Sequence, residues 1–122
     1  MTETKIHSTL HKSNPKPISQ FWNLVANGPQ GNATNLAIDQ LLLEKVSKST
    51  TSNTYLRFYS WTKPTLSIGY SQNAREVVDF HFCQQKKISV VRRPTGGRAV
   101  LHQHEITYTL IVPSDKLSVP IR

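Results

Sequence analysis

The stretch RRPTGGRAVLHQHEITYTLIV, residues 92–112, decides how this chain is interpreted. Two arginines precede a proline turn and a glycine pair, and an alternating run typical of a β-strand follows. Gly96 and Gly97 permit positive φ, and another molecule can approach their backbone because they carry no Cβ. Successive N–H groups in such a turn form a concavity suited to anions. The segment therefore predicts a loop between strands that is able to hold an anionic group.

Arginines surround the glycine pair. A guanidinium group matches phosphate or carboxylate in a two-pronged geometry. Alternation along a strand sends Arg92 and Arg93 to opposite faces, so at most one of them points into the pocket that Arg98 also borders. From these residues alone a second interpretation is possible, in which the turn only connects two strands, as many turns of this composition do.

Length and charge limit the classes of function. The 122 residues fit a single domain. Lys and Arg total 15 against 7 Asp and Glu, a net charge of +8, which favours nucleic acid, an anionic membrane or an acidic protein as partner. The hydrophobic fraction of 37% is below the globular average, so either a segment lacks structure or the core is incomplete.

Cysteine content and hydropathy indicate a cytoplasmic location. The single cysteine, Cys83, excludes an intrachain disulfide framework and favours a reducing compartment. No apolar run approaches the roughly 20 residues of a membrane span. We therefore expect a cytoplasmic protein that does not enter a membrane.

The pattern of elements predicts an α+β fold, with a mixed or antiparallel sheet and flanking helices. Residues 1–19 contain Pro15 and Pro17 and no periodicity, so we expect a disordered arm. A strand over Phe21–Ala26 should end before Gly28, Pro29 and Gly31. The other expected strands cover residues 54–61, 65–70, 88–93, 99–101 and 105–112, the first two of them paired across Pro64.

Two helices are expected. The first covers Asn35–Val46 with Asn32 or Thr34 as its cap, and the second covers Glu76–Lys86. The apolar face of the first helix should contain Ile38, Leu41, Leu42 and Val46, widened by Leu36 and Leu43.

Four segments, taken in order, resemble one enzyme family. RRPTGGRAVLH (92–102) followed by EITYTLIV (105–112) is similar to the signature loop of the biotin/lipoate A/B protein ligases. GNATNLAIDQLLLE (31–44) resembles the family's opening helix, and RFYSWTKPTLSIGYSQN (57–73) resembles its hairpin. The form of the loop is most similar to the octanoyltransferase branch. The resemblance implies a partial catalytic domain of the class II synthetase-like fold.

The resemblance also implies a site. In the family the loop wraps the head of an acyl group or acyl-adenylate, while the apolar tail enters a cleft on the sheet. Arg93 would meet phosphate or the phosphopantetheine region of a carrier, and Asp39 and Arg57 would support the site. The residues that the resemblance implies at the acyl or adenylate site are Gly69, Gln72, Arg93, Gly96, Gly97, Arg98, Ala99, Val100, Leu101 and His102.

Several of these residues have plainer alternatives. His102 and His104 alternate, so both are equally well explained as exposed polar residues of a half-buried sheet. The family usually has Asp after this histidine, whereas Gln103 stands here, which weakens a charge-coupled role for His102. Asp39 is either a solvated flank residue or an ionised group that needs a partner, Arg57 or the loop backbone. Gln72 also fits ordinary turn chemistry.

The family's nucleophilic and catalytic groups, which act on the acyl carbon, have no match in this sequence. The family's nucleophilic cysteine and its catalytic lysine both follow the signature loop, whereas Cys83 precedes it and is better explained as a buried structural thiol. Lys116 lies in a segment that resembles nothing in the family. We therefore expect no catalytic residue of the family here, a truncated catalytic domain over residues 20–113, and a non-matching tail over 114–122.

Four functions remain open. The leading one moves an octanoyl or lipoyl group from an acyl carrier protein to the lysine of a lipoyl domain, with the basic surface attracting acidic carriers. An ATP-dependent lipoate–protein ligase, the only case that requires ATP and Mg²⁺, is an alternative within the family, as is a non-catalytic acyl or adenylate binder. A nucleic-acid module is the weakest, because no recognition motif accompanies the charge. No resident metal and no covalently bound cofactor are expected.

Overall fold

The computed structural model describes residues 1–9, 19–50 and 53–116 as two mixed β-sheets with short flanking helices. The first sheet has the order β1-β2-β3-β7, and the second has the order β5-β4-β6. The strands are β1 (Thr2–Thr9), β2 (Ser19–Gln30), β3 (Thr54–Trp61), β4 (Thr65–Ile68), β5 (Ser89–Arg92), β6 (Val100–His102) and β7 (Thr107–Ile111). The helices are α1 (Asn32–Lys48), α2 (Ala74–Val77) and α3 (Phe80–Gln85), with a short 3-10 turn at Ser114–Lys116.

The N-terminal segment corrects the expectation of a disordered arm. Thr2–Thr9 pairs antiparallel with β2 along its whole length, from Thr2 opposite Ala26 to Thr9 opposite Ser19. Its β-branched threonines and Ile6 suit a strand, and the partner strand supplies the backbone hydrogen bonds that a local pattern does not reveal. Residues 10–18, with the two prolines that motivated the expectation, lie outside the described residues.

Strand β2 continues to Gln30, so the predicted break at Gly28 and Pro29 is wrong. The pairing of β2 with β1 ends at Ala26, and the register of its parallel pairing with β3 shifts between Ala26 and Pro29. A proline is tolerated where one side of a strand has no partner, because no ladder bond needs its missing N–H.

Helix α1 begins three residues before the predicted start. Its N-cap is Gly31, and no side chain caps it, so the predicted capping roles of Asn32 and Thr34 are wrong. Val46 is buried in the first core cluster and Leu42 packs against it, whereas Leu41 is exposed. The helix covers one face of the first sheet.

The predicted pairing of β3 with β4 is wrong. β3 pairs with β2 on one side and with β7 on the other, so both of its edges are occupied. After the connection that contains Pro64, β4 enters the second sheet and pairs with β5 and β6. The predicted second helix is divided in two, because Asp79 accepts a hydrogen bond from the N–H of Phe82 at 2.9 Å and caps a new helix.

Each sheet has its own apolar core. Val25, Val46, Tyr55 and Ile111 form the first core cluster, between the first sheet and α1. The second core cluster consists of Ile68, Val78 and Cys83, with Leu66, Ala74, Ile88, Val90 and Ala99 packed against it. Over the described ranges, no helix combines the length and apolar content needed to cross a bilayer.

Candidate functional site

The loop between β5 and β6 is held closed by Arg93. Its Nη1 donates to the carbonyl oxygen of Ser67 at 3.0 Å and to the Ser67 hydroxyl at 3.1 Å. Its Nη2 donates to the carbonyl oxygens of Gly96 at 2.8 Å and Arg98 at 2.7 Å. Two of these contacts stay within the loop and two connect it to Ser67 of β4, so four of the five donors of the guanidinium group are already used. A bound phosphate would have to share or replace these contacts.

Arg92 holds the neighbouring turn, a role that sequence reasoning missed. Its Nη1 donates to the carbonyl oxygens of Gly69 and Tyr70, each at 2.9 Å, and of Gln72 at 2.7 Å. The side-chain oxygen of Gln72 accepts from the N–H of Gly69 at 2.9 Å. The two arginines thus go to different structures, as alternation predicts, and Gln72 has the turn role that was its plainer alternative.

Gly69 brings the two loops into contact. A Cβ built on Gly69 would lie 2.0 Å from the carbonyl oxygen of Gly97, whereas one built on Gly96 meets nothing within 4 Å. Gly97 has φ +94, a conformation that disfavours any side chain. The space beside Gly69, which the resemblance implies at the acyl or adenylate site, is therefore filled by the backbone of the glycine loop.

Asp39 and Arg57 form a buried ion pair, which is the alternative in which an ionised Asp39 has a partner. Arg57 is fully buried and donates to Asp39 Oδ1 at 2.6 Å, and its other donors reach the Oδ1 atoms of Asn27 and Asn35. Asp39 Oδ2 accepts from the hydroxyls of Tyr59 at 3.1 Å and Thr109 at 2.8 Å. Every buried charge here has a partner, as stability requires. The network joins α1 to β3 and β7.

Burial raises the pKa of the Tyr59 phenol above its ordinary value. The neighbouring Asp39 carboxylate acts in the same direction, because a negative charge disfavours a second one nearby. Tyr59 is therefore a neutral donor to Asp39 over the physiological pH range.

His102 is held on three sides. Its Nε2 lies 2.8 Å from the Ser67 hydroxyl, and its Nδ1 bonds the Glu105 carboxylate. Its ring stacks on Trp61 with centroids 4.5 Å apart. The family usually has a carboxylate directly after this histidine, at the position where this chain has Gln103. Here the histidine contacts the carboxylate of Glu105 instead. Sequence reasoning missed both Ser67 and Glu105.

A cavity of about 540 Å³ lies between the two sheets, and its volume falls in the usual range for small-molecule sites. Its polar end contains Ser67, Arg93 and His102, and its apolar wall includes Val100 and Leu110. The remaining lining residues are Leu36, Asp39, Leu43, Tyr59, Trp61, Pro94, Thr95, Thr107, Tyr108, Thr109, Ile111 and Val112.

The structure gathers only part of the predicted set around this cavity. Asp39, Arg93, Val100 and His102 line it. The predicted residues that are not in its lining are Arg57, Gly69, Gln72, Gly96, Gly97, Arg98, Ala99 and Leu101. Ala99 packs on the second core cluster.

Solved structures that are similar to this one include lipoate ligases. A bipartite lipoate protein ligase, studied with its E2 lipoyl domain from Thermoplasma acidophilum, superimposes with a TM-score of 0.63 and 31% identity over 71% of this chain and 34% of that one. Lipoate-protein ligase A bound with ATP gives a TM-score of 0.64 and 30% identity over 71% of this chain and 35% of that chain. The fold is therefore part of the class II synthetase-like catalytic domain of these ligases.

Residues 32–121 match the lipoyl protein ligase A/B catalytic domain, and the chain belongs to that family. The octanoyltransferase LipM of Carboxydothermus hydrogenoformans is 48% identical over 92 residues, which cover 75% of this chain and 34% of the relative. The chain thus spans about a third of the length of the curated relatives it matches. The family match reaches residue 121, so it includes most of the tail, 114–122, for which we expected no resemblance.

Proposed function

We propose that this chain binds the acyl group in octanoyl or lipoyl transfer to the lysine of a lipoyl domain. The observation that carries the proposal is the cavity, which joins an apolar wall at Val100 and Leu110 to a polar end at Ser67, Arg93 and His102. An octanoyl chain that buries about seven methylenes gains roughly 5 kcal/mol at about 0.8 kcal/mol each. The polar end is then left for the thioester or adenylate.

The acyl carrier protein as donor and the lipoyl domain as acceptor are part of this proposal. The net charge of +8 supports acidic carriers, since opposite charge speeds encounter. Exposed lysines on α1, Lys45 and Lys48, and at the end of α3, Lys86 and Lys87, contribute to that charge. A cytoplasmic location is consistent with such partners.

The catalytic lysine and the nucleophilic cysteine that the family resemblance implies have no counterpart in these 122 residues. We therefore propose that amide transfer to a lipoyl domain requires groups from outside this segment. An ATP-dependent ligase is the second candidate, favoured by the structural similarity to lipoate-protein ligase A bound with ATP. ATP and Mg²⁺ are needed only in that case. A non-catalytic acyl or adenylate binder remains the third candidate.

Titration with a non-hydrolysable octanoyl-adenylate mimic tests the proposal, with isothermal calorimetry as the readout. Val100→Asp places a charge on the cavity wall and should weaken binding at least tenfold. Val77→Asp places the same charge on exposed α2 and should leave binding unchanged, although the two valines are similarly exposed, at 44% and 40%. Equal effects of the two substitutions, or no binding by the unmodified chain, would refute the cavity as the acyl site.

A further inference from the structure

A groove opens beside the proposed acyl cavity. It has a volume of about 440 Å³ and is lined by residues 60–64 and 102–106. Trp61 and His102 belong to the walls of both the groove and the cavity, so the two depressions meet at these side chains. The groove therefore leads along the surface to the polar end of the cavity.

The other end of the groove meets a patch of lysines. Lys63 and Pro64 also line a third depression, of about 540 Å³, together with Lys86 and Lys87 at the end of α3. We call Lys63, Lys86 and Lys87, all of them exposed, the lysine patch. Among the described residues, no carboxylate lines this depression. Positive charge arranged in this way attracts an acidic surface.

Backbone strain coincides with both features. Within the described ranges, the non-glycine residues with positive φ are Lys87, at 55°, and His104, at 52°. His104 lines the groove, and Lys87 belongs to the lysine patch. Residues other than glycine rarely adopt this conformation, and those that do are concentrated at binding sites and switch regions. The strain supports a binding role for the groove and for the lysine patch.

We propose that an acidic acyl carrier protein docks on the lysine patch, with its phosphopantetheine arm in the groove and the acyl end of the arm in the cavity. This inference rests on the proposed function. Lys63 belongs to both the lysine patch and the groove, so it lies where the phosphate that joins the arm to the carrier would be. Lysine binds phosphate as a point charge. The amides of the arm match the polar side chains of Thr62 and Gln103 in the groove.

The separation between the lysine patch and the cavity favours the carrier over the lipoyl domain as the occupant. For the part of the chain that the structure describes, the depression at the lysine patch shares no lining residue with the acyl cavity, and the groove lies between them. An acceptor lysine has only a four-carbon stem. Phosphopantetheine is a much longer flexible arm, so a docked carrier can place its acyl group in the cavity from this distance.

The lysines of α1 provide a matched control. Lys45 and Lys48 are exposed and line neither the groove, the cavity nor the depression at the lysine patch. Lys45 Nζ lies 5.4 Å from the centroid of the Tyr55 ring, and Lys86 Nζ lies 5.9 Å from that of the Phe82 ring. Reversing the charges of either pair therefore changes the net charge equally and removes one comparable cation–π contact.

Calorimetric titration of the whole 122-residue chain tests the lysine patch, with octanoyl-loaded acyl carrier protein and the octanoyl-adenylate mimic as ligands. The double variant Lys86→Glu, Lys87→Glu should weaken binding of the loaded carrier by about tenfold or more, because it then opposes an acidic surface with negative charge. The double variant Lys45→Glu, Lys48→Glu should weaken it by less than about threefold, the effect of net charge alone. Both variants should bind the mimic like the unmodified chain.

Thr62→Trp tests the groove separately, since Thr62 is exposed and lines only the groove among the three depressions. The bulky ring should weaken binding of the loaded carrier but not of the mimic, and the difference should vanish with a carrier that lacks its arm. Lys63→Glu is the second variant for the lysine patch if the α3 variant does not fold. Its backbone carbonyl, and not its ammonium, accepts from the Thr65 hydroxyl at 3.0 Å.

The outcomes separate this inference from the proposed function. Equal losses for the two lysine pairs, or no binding of the loaded carrier by a chain that binds the mimic, overturn the docking surface and leave the acyl cavity in place. A lipoyl domain that binds more tightly than the carrier and loses affinity in Lys86→Glu, Lys87→Glu overturns the choice of occupant. Failure of the unmodified chain to bind the mimic refutes the proposed function itself.

Discussion

The contact between Gly69 and Gly97 makes Gly69→Ala a sharp test of how the site is built. The new Cβ would lie 2.0 Å from the Gly97 carbonyl oxygen. Because real Cβ contacts begin near 3.0 Å, the loop has to move by about 1 Å or more. The Gly96 and Arg98 carbonyls, at 2.8 and 2.7 Å from Arg93 Nη2, lie on the same loop and would move with it.

The magnitude follows from those two bonds. Hydrogen bonds to a charged group contribute about 1.5–3 kcal/mol each, so their loss costs roughly 3–6 kcal/mol. For a domain of about 100 residues this lowers Tm by roughly 10 °C or more, unless the loop detaches and relieves the clash. Detachment would instead abolish binding of the octanoyl-adenylate mimic, because Arg93 and Pro94 line the cavity.

Thermal unfolding and mimic binding are measured together, with Gly96→Ala as the matched control. A Cβ at Gly96 meets nothing within 4 Å, so this variant should stay within about 0.5 kcal/mol of the unmodified chain. If Gly69→Ala behaves like Gly96→Ala in both measurements, the close packing of the two loops is refuted.

Three more predictions concern the first sheet. Asp39→Ala should lower the free energy of unfolding by about 3–5 kcal/mol in urea, because it leaves the fully buried Arg57 without its counter-charge. The double variant Asp39→Ala, Arg57→Met should recover part of that loss. Burial raises the pKa of Tyr59 above its ordinary 10.0, so the stability linked to its neutral form is present below pH 10.0 and is lost as the pH rises further. The Tm of the unmodified chain should therefore fall more steeply above pH 10.0 than the Tm of Tyr59→Phe. Equal slopes for the two proteins would contradict this. Phe58 and Tyr108 are opposed in register and exposed at 40% and 67%, so the chain should self-associate with concentration in analytical ultracentrifugation, and replacing both with Thr should reduce this.

The alternation of apolar and polar residues predicted those parts of the fold that depend on neighbouring residues in the sequence. Alternation gave β3 its observed bounds, Thr54–Trp61, because each face of that strand meets a different environment. It could not show that β4 leaves for a second sheet, since the choice of partner depends on strands far along the chain. The strand formed by Thr2–Thr9 was missed for the same reason, since among the described residues it pairs with β2, which follows later in the chain.

The site divides in the same way. The glycine loop could be predicted from its composition. The pairing of Asp39 with Arg57 could be proposed because an ionised residue near an apolar helix face needs a partner. The role of Gly69 could not be predicted, because the backbone that fills the space beside it belongs to Gly97, which is 28 residues away in the sequence. A glycine motif indicates close approach but does not say whether a ligand or the chain itself approaches.

The carboxylate at His102 shows where alternation fails. Residues three apart on a straight strand face opposite ways, so alternation argues against contact between His102 and Glu105. The structure ends β6 at His102 and gives His104 a φ of +52, in the left-handed region that few side chains adopt. This reversal ends the alternation and allows Glu105 to turn back onto the imidazole. His102 therefore contacts a carboxylate despite Gln103, because a turn supplies the group that the neighbouring position lacks.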